Sequence, residues 1–148
     1  MELMIRYHDT YDPAWGLLGY ARPGDSGFDL RAAIPETTTL WPNERLLVMT
    51  GVSVAMPDGY ELQVRPRSGL ALQSGITVLN APGTVDSCFR GELGVILVNH
   101  GDAPAEIRPG DRIAQGVLAA VARARFNAVL ELPDSERGDG GFGSTGTG

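Results

Sequence analysis

The feature that most limits how this chain can fold is its punctuation. Twenty glycines and ten prolines fall between short apolar runs instead of gathering in one linker. Met56-Pro57-Asp58-Gly59, Ala81-Pro82-Gly83, His100-Gly101-Asp102 and Arg108-Pro109-Gly110-Asp111 all carry turn chemistry. Between them lie β-rich stretches: Leu46–Met49, Val52–Met56, Tyr60–Val64, Ile76–Leu79 and Val95–Val98. Several short strands at close spacing predict an all-β barrel or double-sheet jelly roll. No fixed-period repeat and no second domain is visible, and 148 residues is the usual size of one domain.

One segment resists this reading. Ala114–Phe126 is alanine-rich, so propensity favours a helix, yet it also holds Gly116 and two valines and can be laid out as an alternating strand. The residues alone leave both open.

A net charge of −6 argues against coating nucleic acid or an anionic membrane by bulk electrostatics. A few arginines in one pocket can still hold a small anion. No apolar run approaches the ~20 residues of a membrane helix, and the N-terminus lacks the basic-then-apolar pattern of a secretory leader. The single cysteine, Cys88, fits a reducing compartment, so a cytoplasmic protein is expected. Two distant histidines, His8 and His100, do not make the usual His/Cys zinc set.

After Leu132 the chain changes character. From Pro133 it is dominated by Gly138, Gly140, Gly141, Gly143, Gly146 and Gly148, with Phe142 almost its only apolar residue. Such a tail packs no core and is expected to be flexible unless something orders it. The organisation expected is a β-domain over 1–132 and an arm over 133–148. In the arm, glycine backbone can approach a phosphate closely, Arg137 can fork onto phosphate oxygens, and Ser144 and Thr145 can add hydrogen bonds. Phe142 offers a flat face to a base. Gly138-x-Gly140-x-x-Gly143 is not accepted as a dinucleotide fingerprint, because no strand–turn–helix comes after it. The Gly138-x4-Gly143-Ser144 spacing lacks the lysine of a Walker A loop.

Further segments carry candidate chemistry. Arg65-Pro66-Arg67-Ser68-Gly69-Leu70 sets a guanidinium, a hydroxyl and flexible backbone together, which suits an anion, although a plain turn after a strand explains it equally well. Asn80 to Glu92 lies between two apolar strands and reads as a hairpin bearing Asp86 and Phe89. A carboxylate on a rigid hairpin can serve as general base to a water within reach. Asp25-Ser26-Gly27-Phe28-Asp29-Leu30-Arg31-Ala32 and Pro109-Gly110-Asp111-Arg112-Ile113-Ala114-Gln115 are weak singly.

In order along the chain these segments are not weak. Ser-Gly-Phe-Asp-Leu-Arg-Ala, Pro-Arg-Ser-Gly-Leu, Gly-Thr-Val-Asp with Phe-Arg-Gly-Glu, Pro-Gly-Asp-Arg-Ile-Ala-Gln and Arg-Gly-x-Gly-Gly-Phe-Gly-Ser-Thr-Gly resemble the five-motif pattern of the homotrimeric dUTPase family, from Tyr20 to Gly146. The resemblance implies an all-β, jelly-roll-like distorted barrel that assembles as a trimer, with active sites at subunit contacts and a glycine-rich arm reaching over from a neighbour. It also favours a strand over Ala114–Phe126.

By matching position, Asp86 resembles the family's general base, activating water to split dUTP into dUMP and pyrophosphate. Asn80, Gly83, Thr84 and Val85 resemble the uracil-reading hairpin, and Phe89 stands where the family has a tyrosine beneath the deoxyribose. Its ring still excludes a 2′-hydroxyl, without the phenol's hydrogen bond. Arg67, Ser68, Gly69 and Gln115 resemble phosphate ligands; Arg137, Gly143, Ser144 and Thr145 resemble the arm residues closing on the far end. Phe142 resembles the aromatic that covers uracil, and Asp29 a supporting carboxylate. Mg2+ is implied, held mainly by substrate phosphates and water. The competing expectations are a dCTP deaminase on the same fold and a non-catalytic nucleotide sensor.

Overall fold

In the computed structural model, which describes residues 1–141, eleven strands, one short α-helix and a single 3-10 turn (Pro13–Trp15) track the turn signals closely. The strands are β1 (Met4–Tyr7), β2 (Phe28–Arg31), β3 (Thr38–Leu40), β4 (Arg45–Met49), β5 (Val52–Ala55) and β6 (Tyr60–Arg65). After the helix α1 (Ser68–Ser74) come β7 (Ile76–Val78), β8 (Gly83–Asp86), β9 (Gly94–Asn99), β10 (Ala105–Ile107) and β11 (Arg112–Ala120). They form a four-stranded sheet in the order β2-β11-β6-β8, a three-stranded sheet β4-β9-β7, and two ribbons, β1-β5 and β10-β3. Every pairing is antiparallel. This is the all-β, jelly-roll-like architecture expected.

Side-chain alternation places the core. In β2, Phe28 and Leu30 turn inward while Asp29 and Arg31 turn out; in β6, Leu62 and Val64 turn inward between Glu61, Gln63 and Arg65. They meet Val48, Val95, Leu97 and Ile113 in one apolar cluster. The inward rows drive the sheets together by burial of apolar surface. The outward rows are thereby left free for chemistry.

Two local features matter for the site. β11 carries a register slip against β2 between Arg112 and Ala114. Ile113 and Ala114, consecutive in sequence, are both buried there. A β-bulge does this by setting two residues against one, and so it re-aims the residues downstream of it. Arg112 and Gln115, three apart, both stay out of the core. Second, α1 occupies a segment that reads from sequence as a plain turn. It ends at Gly75, whose φ of 67° is left-handed and whose N–H closes on Ala71.

The strand expected over Ala114–Phe126 is correct only in part. β11 stops at Ala120, opposite Tyr60 at the start of β6, and the Val121 N–H to Gly59 carbonyl bond (2.9 Å) is its last tie. Beyond it, no strand among the described residues lies alongside to pair with. Residues 121–141 are all exposed.

Candidate active site

β6 is the spine of the site, because it pairs with β11 on one side and β8 on the other. Directly opposed residues on antiparallel strands share a face. At the C-terminal end of β6, Arg65 opposes Gln115, which in turn opposes Asp29 on β2. The chain then turns through Pro66 and presents Arg67, whose Nε lies 3.0 Å from Asp29 Oδ1. Arg112 approaches the other carboxylate oxygen at 3.3 Å, and Arg67 also donates to the Arg112 carbonyl at 3.1 Å. Gln115 is seated against bare backbone: a Cβ at Gly27 would stand 2.7 Å from its Oε1. Ser68 and Gly69 come next, both exposed. Asp29, Arg67, Gln115, Ser68 and Gly69 are thus brought to one end of the sheet.

Asp86 is not brought to that cluster within one chain. It opposes Glu61 at the other end of β6, four residues from Arg65, a separation of roughly 13 Å along a strand. It is exposed, and none of the ion pairs formed among the described residues involves it. Asp29 is occupied by its two arginines, far from Asp86. Along the outer face between the two ends runs a hydrogen-bonded row, Arg65 to Gln63 to Glu61.

The Asn80–Glu92 segment does more than close a hairpin. Its flanking strands, β7 and β9, do pair with each other, but the enclosed loop adds β8 to the other sheet, against β6. β8 is an edge strand. Such an edge presents backbone N–H and C=O groups that no neighbour uses. Gly83 is buried, with the Asn80 amide close above it; a Cβ there would lie 3.2 Å from Asn80 Nδ2. Thr84, Val85, Asp86 and Phe89 line one cleft of about 220 Å3 with Glu92 and Leu93. Arg67 and Arg112 line another of about 230 Å3. A wider groove of about 770 Å3, between α1 and residues 101–111, is lined by none of the residues assigned a catalytic or ligand-binding role from sequence. Chemistry, not volume, marks the site.

Arg137 is exposed and, among the described residues, bonded only locally, donating to the Gly140 carbonyl at 2.6 Å. Phe142, Gly143, Ser144 and Thr145 lie outside the described residues. Sequence reasoning overlooked Arg112, and Arg90 and Glu92, which brace the loop after Asp86. Their signal is charge within a turn motif, which sequence alone does not separate from solvated surface.

Comparison with known proteins identifies the family and the fold. The sequence profile described as dUTPase matches residues 14–146. The deoxyuridine 5'-triphosphate nucleotidohydrolase of Caulobacter vibrioides (strain NA1000 / CB15N) is 57% identical over 129 residues, covering 86% of this chain and 83% of that protein. The protein of the same name from Rhizobium rhizogenes is 54% identical over 132 residues, covering 88% and 85%. Among solved structures, a variant Staphylococcus bacteriophage 80alpha dUTPase with dUpNHpp has the same fold, with a TM-score of 0.84, 23% identity and 99% of each chain covered. A variant from phage phi11 of S. aureus, described as revealing the coordination of a structural Mg(II) ion, has a TM-score of 0.78 at 21% identity, covering 90% of this chain and 100% of that one. With a profile match over nearly its whole length and relatives more than half identical to it, the chain belongs to the dUTPase family.

Proposed function

We propose that this protein hydrolyses dUTP to dUMP and pyrophosphate, in sites that two or more copies of the chain build together as a homotrimer. The observation that carries the reading is the division of the site along β6: a free carboxylate on an edge strand at one end, an arginine cluster at the other. A nucleotide has the matching division, a base at one end and a phosphate chain at the other. Neither end of β6 alone holds both. Contact between copies would also cover apolar side chains that a single chain leaves bare, among them Leu47, Leu79, Phe126 and Leu132.

The base lies along the edge of β8. Backbone donors and acceptors from Gly83 to Val85 match the acceptor–donor edge of uracil, and cytosine's reversed edge leaves buried groups unpaired, at about 1–3 kcal/mol each. Asn80 closes the end of this strand. Phe89 lies beneath the sugar and fills the space a 2′-hydroxyl would need. Asp86 holds a water in line with the α-phosphorus and takes its proton as the new P–O bond forms. The bond to the bridging oxygen breaks, and pyrophosphate departs with the electron pair. This chemistry needs positioning and charge neutralisation more than covalent catalysis.

Arg67, Ser68, Gly69 and Gln115 hold the phosphate chain from one copy, with Asp29 aligning Arg67. Arg137, Gly143, Ser144 and Thr145 close on its far end from an arm over 133–148, and Phe142 covers the uracil. Asp29 is engaged by Arg67 and Arg112, which suits a Mg2+ that arrives with phosphate oxygens and waters as its main ligands. When bound, it neutralises charge building on the leaving pyrophosphate. By this reading the protein limits uracil entry into DNA, supplies dUMP for dTMP synthesis, and works in the cytoplasm without stable nucleic-acid or membrane binding.

The test is pyrophosphate release from dUTP, dTTP, dCTP and UTP with Mg2+. Rapid turnover of dUTP alone is expected. Equal turnover of UTP would refute the sugar reading, and ammonia release from dCTP would point to a deaminase instead.

A further inference from the structure

The loop after Asp86 is held more firmly than its exposure suggests. The Phe89 N–H donates to the Asp86 carbonyl at 3.0 Å, making a tight turn. Arg90 folds back over it, donating to the Ser87 carbonyl at 2.6 Å and to the Phe89 carbonyl at 2.7 Å. Downstream, the Glu92 carboxylate accepts the Gly51 N–H at 2.7 Å and so fixes the end of the loop to the body. The backbone on both sides of Phe89 is therefore set, while its ring stays 43% exposed.

The ring is seated by an absence. A Cβ built on Gly91 would stand 2.5 Å from Phe89 Cζ, 3.0 Å from Cε2 and 3.3 Å from Cε1. Carbon atoms in ordinary contact stay about 3.5–4.0 Å apart, so a side chain at 91 makes the ring move from this position. Gly91 is not among the residues with left-handed φ. Backbone conformation therefore does not require glycine here; the ring does.

We propose that Gly91 is a positioning residue for sugar selection, giving the Phe89 ring a bare backbone seat while Arg90 locks the turn that aims it. This rests on the reading of Phe89 as the platform beneath the deoxyribose. Held against residue 91, the ring denies space to a 2′-hydroxyl; displaced, it opens that space and loses its contact with the sugar.

The experiment measures kcat/KM for dUTP and UTP with Mg2+ in the wild type, Gly91→Ala, Phe89→Ala and the double variant. In Gly91→Ala the dUTP/UTP ratio should fall about 10-fold or more, in the range that pockets reach when they discriminate by one small group. In the Phe89→Ala background, where no ring remains to evict, the same substitution should change the ratio hardly at all. An unchanged ratio in Gly91→Ala, or an equal fall with and without the ring, would overturn the proposal. Should Gly91→Ala fail to fold, Arg90→Gln at an exposed side chain gives the decision: a reduced ratio supports the proposal and an unchanged one overturns it. A wild type that turned over no dUTP would overturn the underlying reading instead, so the two failures are distinguishable.

Discussion

At one end of β6, Asp29, Arg67 and Arg112 hold one another through ion pairs and a backbone bond, and Gln115 sits beside them against the bare backbone of Gly27. At the other end, Asp86 stands exposed on an edge strand with no ion pair among the described residues, its loop braced by Arg90 and Glu92. The first end is an arginine cluster arranged before any ligand arrives; at the second, Asp86 forms no ion pair among the described residues. A phosphate site gains from fixed charge, since no reorganisation is then needed when the ligand binds. A general base must keep its lone pairs for the water, so an ion pair there would work against it. On the proposed reading the two ends have different duties, and a second copy of the chain closes the separation between them.

The comparison can be broken from its strongest side first. Asp86→Asn should lower kcat for dUTP about 1,000-fold with little change in KM, since it removes the proton acceptor and keeps the shape. Steady-state kinetics checks this, and full activity would place the base elsewhere. Deleting residues 137–148 should lower kcat/KM about 100-fold through lost positioning. The melting temperature should hold, because residues 121–141 are exposed outside the packed body; loss of the oligomer on truncation would show that the tail is structural.

At the cation end, Arg67→Ala should reduce kcat/KM about 10- to 100-fold, as expected for a lost charge-assisted bond to phosphate. The same change should cost about 1 kcal/mol or less in urea unfolding, because the pair with Asp29 is only partly buried. Arg112→Ala should be the mildest. Its contact is longer, at 3.3 Å, and its side chain is half exposed, so kcat/KM should shift only about 2- to 3-fold. An Arg112 effect equal to that of Arg67 would show that the two arginines share the phosphate.

Much of this was legible in the residues, for reasons that differ by element. Turn chemistry is local, so Pro57-Asp58-Gly59 and Pro109-Gly110-Asp111 mark strand ends that the structure reproduces. The inward alternation of Phe28, Leu30, Leu62 and Val64 is likewise written in period two. Which strand Gly83–Asp86 joins was not legible, because pairing with β6 is a long-range choice made by packing. The bulge at Arg112–Ala114 and the end of β11 at Ala120 depend on neighbouring strands in the same way. Helix α1 could have been seen in Leu70-Ala71-Leu72-Gln73 ahead of Gly75, helix formers leading into a left-handed cap. In the site, ordered motifs pointed to Asp86, Arg67 and Gln115. Gly91 becomes meaningful only once a ring is found lying on it.

The central claim is that one site needs the Asp86 end of one chain and the Arg67 end of another. Mixing Asp86→Asn chains with Arg67→Ala chains, unfolding and refolding them together, and assaying pyrophosphate release from dUTP tests it directly. Refolded alone, the Asp86→Asn chains should be nearly inactive and the Arg67→Ala chains should keep about a tenth of wild-type activity or less. With random assortment, about a quarter of all sites draw an intact residue of each kind, so activity should return to about a quarter of the wild-type level. A mixture no more active than its separate components would show that each chain completes its own site, and would contradict the account.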